Sequence, residues 1–204
     1  MARKSKEEAE MTRLKLLDSA LIVMAEKGLV KATLAQIASH AGVTRGAIYW
    51  HFKDKADLLD AIWQQIFAPF SGLFEQTQTA NGEKLPDMLT EIARLLIQEL
   101  FNNCRLQSLV KLSHQALADS EYLSYTQAQR AEEHNNLVIA FGKMKQLDRL
   151  HEHLNPNDAA IIYTGFLNGI FQQWVINPDQ LLKANIDTLV KSLQHSLFKP
   201  SAIN

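Results

Sequence analysis

The sequence predicts an all-α fold, with a three-helix helix-turn-helix unit at the N-terminal end and a larger helical unit after it. Three observations point there. Glycine (8) and proline (5) are scarce among 204 residues, which argues against a turn-rich β-protein. Apolar residues in the periodic segments recur at spacings of three and four. Residues 6–60 also carry start and stop signals wherever a small helical unit needs them.

In chain order, Leu14, Leu17, Leu21, Met24 and Ala25 mark one face of a helix expected over 6–27, and Gly28 is its natural stop. Thr33 to Gln36 reads as a capping box opening a short second helix with Ile37 and Ala38. Ala41, Gly42 and Val43 make a tight turn in which Gly42 can take a positive φ. Thr44 caps a third short helix through Ile48 and Tyr49, with Trp50 expected in the core. Asp54 caps a fourth, and Asp57 in its first turn suits the helix dipole. Two short helices around a glycine turn, after a longer support helix, form a helix-turn-helix, whose second helix enters the DNA major groove.

Charge agrees with that reading. The chain has a net charge of -1, but residues 1–55 carry ten Lys/Arg against six Asp/Glu, leaving +4 at this end. A basic end on an acidic chain is the footprint of a polyanion-binding module. Arg45 can donate twice to guanine, Gly46 lets the backbone come close, and Tyr49, His51 and Lys55 have polar tips suited to phosphate oxygens.

Residues 33–63, most sharply the run from Val43 to Lys55, resemble the DNA-binding domain of the TetR family of bacterial repressors. The opening Met1-Ala2-Arg3-Lys4 and the string from Thr44 to Lys55 are similar to its AcrR branch of multidrug-efflux repressors. The resemblance implies that Thr44, Arg45 and Gly46 face bases, and that Thr33, Tyr49, His51 and Lys55 touch phosphates. It also implies a DNA-binding domain at 1–53, a helical ligand-binding and dimerisation domain at 54–204, and a homodimer on a near-palindromic double-stranded operator. A small-molecule inducer, in the lipophilic or cationic class of drugs and polyamines, would release the repressor from an efflux operon. No cofactor is implied. A rival within the family takes no small ligand and answers to Cys104 oxidation or to a protein partner.

Beyond residue 54 the apolar stripe Leu58, Leu59, Ile62, Trp63, Ile66, Phe67 and Phe70 predicts a connecting helix, which Pro69 should kink or end. Asn81-Gly82 reads as a loop, and Pro86 stands near the start of a helix through Leu100. Further helices are expected from Cys104 to Leu117, from Tyr122 to about Leu150, over 157–176 and over 181–198. Asn155, Pro156 and Asp158 form a strong start signal for the helix over 157–176. No charge occurs from Ala159 to Pro178, yet Thr164, Asn168 and Gln172 lie four apart there. Such a polar stripe is costly in lipid and suits a buried or interface helix better than a membrane span. In TetR-like proteins the last two long helices pair across a twofold axis. Thr164, Asn168, Gln172 and Trp174 are therefore expected at a dimer interface.

Polar or aromatic residues on apolar stripes are the candidate ligand contacts: Phe67, Glu99, Phe101, His114, Tyr122, Gln129, Glu133 and Phe166. Acids beside aromatic walls suit a cation through charge pairing and cation–π contact. The lone Cys104 excludes a disulfide framework and a multi-cysteine zinc site, and fits a reducing compartment. The charged start predicts no secretory signal, so the protein is expected in the bacterial cytoplasm, on the nucleoid when bound to DNA. His151 and His153, two apart, do not share a helical face, so no metal site is expected. No nucleophile, phosphate-loop or dinucleotide motif is present, and an enzyme is not expected.

Overall fold

The computed structural model describes residues 2–115, 120–178 and 182–200. Ten α-helices are found among them: α1 Ala2–Lys27, α2 Leu34–His40, α3 Arg45–His51, α4 Lys55–Phe67, α5 Ser71–Thr79, α6 Leu85–Asn102, α7 Cys104–Gln115, α8 Ser120–Gln146, α9 Pro156–Ile176 and α10 Leu182–Leu197. The fold is all-α. One isolated antiparallel bridge, Leu150 to Phe198, joins the loop after α8 to the end of α10.

Two compact units interleave along the chain. The first comprises Met1–Ala68 and Cys104–Tyr125, the second Pro69–Asn103 and Thr126–Asn204. In the first, α1 packs on α2, α4 and α7, and α2 on α3. Its core is built from Leu16, Leu17, Ala20 and Met24 of α1, Ile37 of α2, Ile48 of α3 and Leu58 and Ile62 of α4. Arg105 at the start of α7 grips Asp18 of α1 with two bonds, Nε to Oδ1 at 2.6 Å and Nη2 to Oδ2 at 2.8 Å. That fork-to-fork geometry is the strongest an ion pair adopts.

In the second unit α6 lies against α5, α9 and α10. Leu89, Ile92, Ala93, Leu96, Ile97 and Leu100 bury its apolar stripe. Phe141 of α8 is fully buried, its ring 6.2 Å from those of Tyr163 and Phe198. The Tyr163 hydroxyl donates to the Leu89 carbonyl at 2.8 Å, satisfying the one polar atom that this aromatic brings inside. Burial raises its pKa well above the usual tyrosine value.

Several boundaries depart from the sequence expectation. The first helix begins at Ala2 rather than near residue 6. The connecting helix does not run to Phe70: α4 ends at Phe67, Pro69 sits in a 3-10 turn over Ala68–Phe70, and a further helix, α5, follows. Proline lacks the N–H that a continuing helix needs. The long helix stops at Gln146 rather than near Leu150, because Asp148 takes φ 54 and the Arg149 N–H turns back to the Met144 carbonyl. Aspartate tolerates that left-handed conformation better than most residues. Lys199 holds its carboxylate at 2.7 Å, which keeps the Asp148 carboxyl below its usual pKa.

Gly82, in the loop expected at Asn81-Gly82, is a close approach. A Cβ there would lie 2.7 Å from the Lys143 carbonyl oxygen and 2.9 Å from Leu147 Cδ1. Backbone cannot retreat as a side chain can. Gly82→Ala should therefore destabilise the protein by about 1–3 kcal/mol in chemical denaturation.

Candidate nucleic-acid interface

The helix-turn-helix is closed by local bonds. The Thr33 hydroxyl accepts from the Gln36 N–H at 3.3 Å, and the Gln36 side chain accepts from the Thr33 N–H at 3.1 Å, completing the capping box. Gly42, at φ 67, reverses the chain, and the Val43 N–H reaches the Ala38 carbonyl at 3.0 Å. The Thr44 hydroxyl accepts from the Ala47 N–H at 3.2 Å and starts α3. Asp54 caps α4 through the Asp57 N–H at 2.9 Å, while Asp57 accepts from the Lys53 N–H at 2.8 Å.

Of the base-facing candidates, Thr44, Arg45 and Gly46 are all exposed at the start of α3. The Arg45 guanidinium lies over the Tyr49 ring, 5.8 Å from its centroid. This i,i+4 cation–π contact uses the face of the guanidinium and not its N–H donors. Thr33 and Tyr49 are exposed, whereas His51 and Lys55 are half-buried.

Two of these positions do more than their spacing implies. Lys55 Nζ donates to the carbonyls of Leu29 and Val30 at 3.2 and 3.3 Å, tying the start of α4 to the loop after α1. Two of its three donors are thus engaged within the protein. His51 is held below its usual pKa, first by burial and then by the nearby Arg13 cation, with Glu10 opposing. Arg13 of α1 lies over the Phe52 ring at 5.8 Å, a contact that residue spacing does not reveal.

Trp50 corrects an expectation. It is not a core aromatic but 74% exposed, while Ile48 and Phe52 are the residues that anchor this segment inside. A helix of seven residues has one buried stripe, and Ile48 occupies it.

The ligand-facing candidates fall in both units. In the first, Phe67 is half-buried and stacks on Trp63 at 5.2 Å, and His114 is half-buried. In the second, Phe101 and Phe166 are half-buried. Glu99 there accepts from Asn103 Nδ2 at 2.8 Å. Glu133 is exposed as a residue, yet its carboxyl is raised above the usual pKa. Crowding by protein atoms is the larger cause; Arg130 opposes it and Glu132 adds to it. The side chains of Tyr122 and Gln129 lie outside the described residues.

On α9, Asn168 and Gln172 are exposed and Thr164 half-buried, its hydroxyl donating to the Ala160 carbonyl at 2.9 Å. Trp174 departs from the interface expectation. At 4% exposure it belongs to the buried stripe with Tyr163, Leu167 and Ile170. Cys104 is exposed at the start of α7. His151 and His153 stack at 5.7 Å, and His151 Nε2 contacts the His195 carbonyl at 2.9 Å. Among the described residues no three His, Cys, Asp or Glu side chains group to hold a metal, and no helix is long and apolar enough to cross a membrane.

Residues 16–62 match the family described as bacterial regulatory proteins, tetR family. Over its whole length the chain is 33% identical to the HTH-type transcriptional regulator AcrR of Shigella flexneri, covering 98% of that protein. Among solved structures it is similar to NalD, the secondary repressor of the MexAB-OprM multidrug efflux pump in Pseudomonas aeruginosa. That match has a TM-score of 0.77 and 25% identity, over 93% of this chain and 98% of that one. It is similar also to SmeT in its complex with triclosan, with a TM-score of 0.77 and 26% identity over 95% of each chain. These relatives are regulators, not enzymes.

Proposed function

The chain belongs to the TetR family of bacterial regulatory proteins, and from that premise we propose that it is a cytoplasmic, homodimeric repressor of an efflux operon, released from its operator by a small molecule. The observation that carries the DNA reading is the exposed face of α3, braced by a capped helix on each side. Arg45 donates to guanine O6 and N7, and Gly46 and Thr44 let the helix end sit close to the base edges. Thr33, Tyr49, His51 and the remaining donor of Lys55 hold phosphates and set the register. The module at 1–53 acts on DNA, and the rest of the chain senses and pairs.

Pairing is supported by α9, which leaves Ile161, Gly165, Asn168, Gln172 and Ile176 exposed along one stripe. A second copy on that stripe covers the isoleucines and sets two recognition helices about 34–36 Å apart, the spacing of a near-palindromic site. Ligand release is supported by the likeness to SmeT bound to triclosan. Any releasing ligand must bind the DNA-free state more tightly than the DNA-bound one.

The test is a mobility shift with the purified protein on the DNA upstream of its own gene, against a panel of lipophilic and cationic compounds. Specific binding lost with one compound supports the whole reading. Binding that no compound disturbs, but that oxidation abolishes unless Cys104→Ser is present, transfers the sensing role to that exposed thiol. Failure to bind any operator overturns the proposal.

His51 supplies a pH signature. A phosphate contact favours the protonated ring, which the free protein disfavours, so binding takes up protons. Operator affinity should rise as the pH falls from about 7.5 to about 6. Stability of the free protein should move the other way. Because the folded pKa lies below the usual 6.5, the unfolded chain binds the proton first, and stability declines as the pH falls through that region. His51→Gln should flatten both trends in binding and denaturation titrations.

A further inference from the structure

Trp50 is the most exposed large apolar side chain among the described residues. Successive helical residues turn by about 100°. With Ile48 fully buried, the direction pointing straight out of the unit falls between Gly46 and Trp50. Arg45 and Tyr49 take one flank of that direction, and Ala47 and His51 the other. At Gly46 there is nearly open space: an added Cβ would meet only Thr44 Oγ1, at 3.9 Å. The centre of the presented face is therefore an indole beside bare backbone, with polar groups around it. The His51 ring meets the indole edge-on at 4.7 Å and 89°, which restrains it on one side.

We propose that Trp50 reads thymine, packing its indole on C5-methyl groups in the major groove and so imposing a base preference that no hydrogen bond supplies. The proposal rests on α3 being the recognition helix. Thymine alone among the four bases presents a methyl group in that groove. Tryptophan offers the largest apolar surface with which to cover it. An apolar centre within a polar rim is the pattern of a surface that is desolvated on binding. The +4 charge of residues 1–55 and the continuity of Trp50 with Arg45 and Gly46 make the occupant a nucleic acid rather than a protein.

The experiment selects binding sites from random duplex DNA with the full-length protein. Each thymine of the selected half-site is then replaced by deoxyuridine, which removes only the methyl group. At one or two positions the replacement should weaken binding about fourfold, the ratio that one buried methyl is worth. Trp50→Ala, with its fold verified by an unchanged circular dichroism spectrum, should bind thymine and deoxyuridine duplexes equally, and Trp50→Phe should keep part of the preference. Equal binding of the two duplexes by the native protein overturns the proposal without reference to any variant. A methyl preference that survives Trp50→Ala also overturns it, and passes the role to Ala47. If no sequence is enriched at all, the recognition-helix reading falls with it.

Discussion

Arg45→Ala is expected to relax the operator preference at one base pair in each half-site, at a cost of about 1–3 kcal/mol against the wrong base. The guanidinium is exposed and stacked on Tyr49, so its removal leaves the fold of α3 intact while withdrawing both donors from a guanine. The informative contrast is Lys55→Ala. That change should weaken binding to all sequences alike and reduce the salt slope by about one for each phosphate no longer neutralised. It should also lower the thermal midpoint, because the Leu29 and Val30 carbonyls lose a donor. Affinities measured on a matched set of single-base operator variants at several salt concentrations separate the two behaviours. Identical profiles for the two variants would show that Arg45 reads no base.

Phe141→Ala is the largest stability effect expected, about 3–5 kcal/mol. The ring is fully buried in the second unit, its centroid 6.2 Å from those of Tyr163 of α9 and Phe198 beyond α10, so the void it leaves is walled by residues from two other segments of the chain. Domains are stable by only about 5–15 kcal/mol, so the variant should be near the limit of folding. The measurement is denaturation at a fixed protein concentration, since a dimer's midpoint depends on concentration. A loss under about 1 kcal/mol would mean that the second unit closes over the void, and that Phe141 does not organise the core as its burial indicates.

The parts of the interface that are legible in the sequence are those decided within three or four residues. Thr33, Thr44 and Asp54 are readable as caps because a hydroxyl or carboxylate reaches an N–H three positions on. Gly42 is readable because a positive φ has few other tenants. The start of α9 at Asn155, Pro156 and Asp158 belongs to the same class.

What escapes a reading of the sequence is long-range. Trp50 and Ile48 are both apolar, and seven residues of pattern do not say which one the rest of the unit will cover. Trp174 lies on a helix apolar on nearly every side, where periodicity cannot separate a core stripe from an interface stripe. The second role of Lys55 depends on carbonyls 25 and 26 residues away. Asp18 finds Arg105 across 87 positions. The turn at Asp148 that follows α8 is secured by Lys199, 51 residues further on.

Local chemistry suffices for the helical class, the capped frame of the helix-turn-helix and the basic, groove-sized face that it presents, because caps, turns and charge act over a few residues. Which side of each helix is spent on the core was settled by packing between helices distant in the chain. That choice left an indole at the centre of the exposed face of α3 and drew Trp174 inside. It follows from which apolar surfaces meet, and burial is a property of the whole fold rather than of any stretch of it.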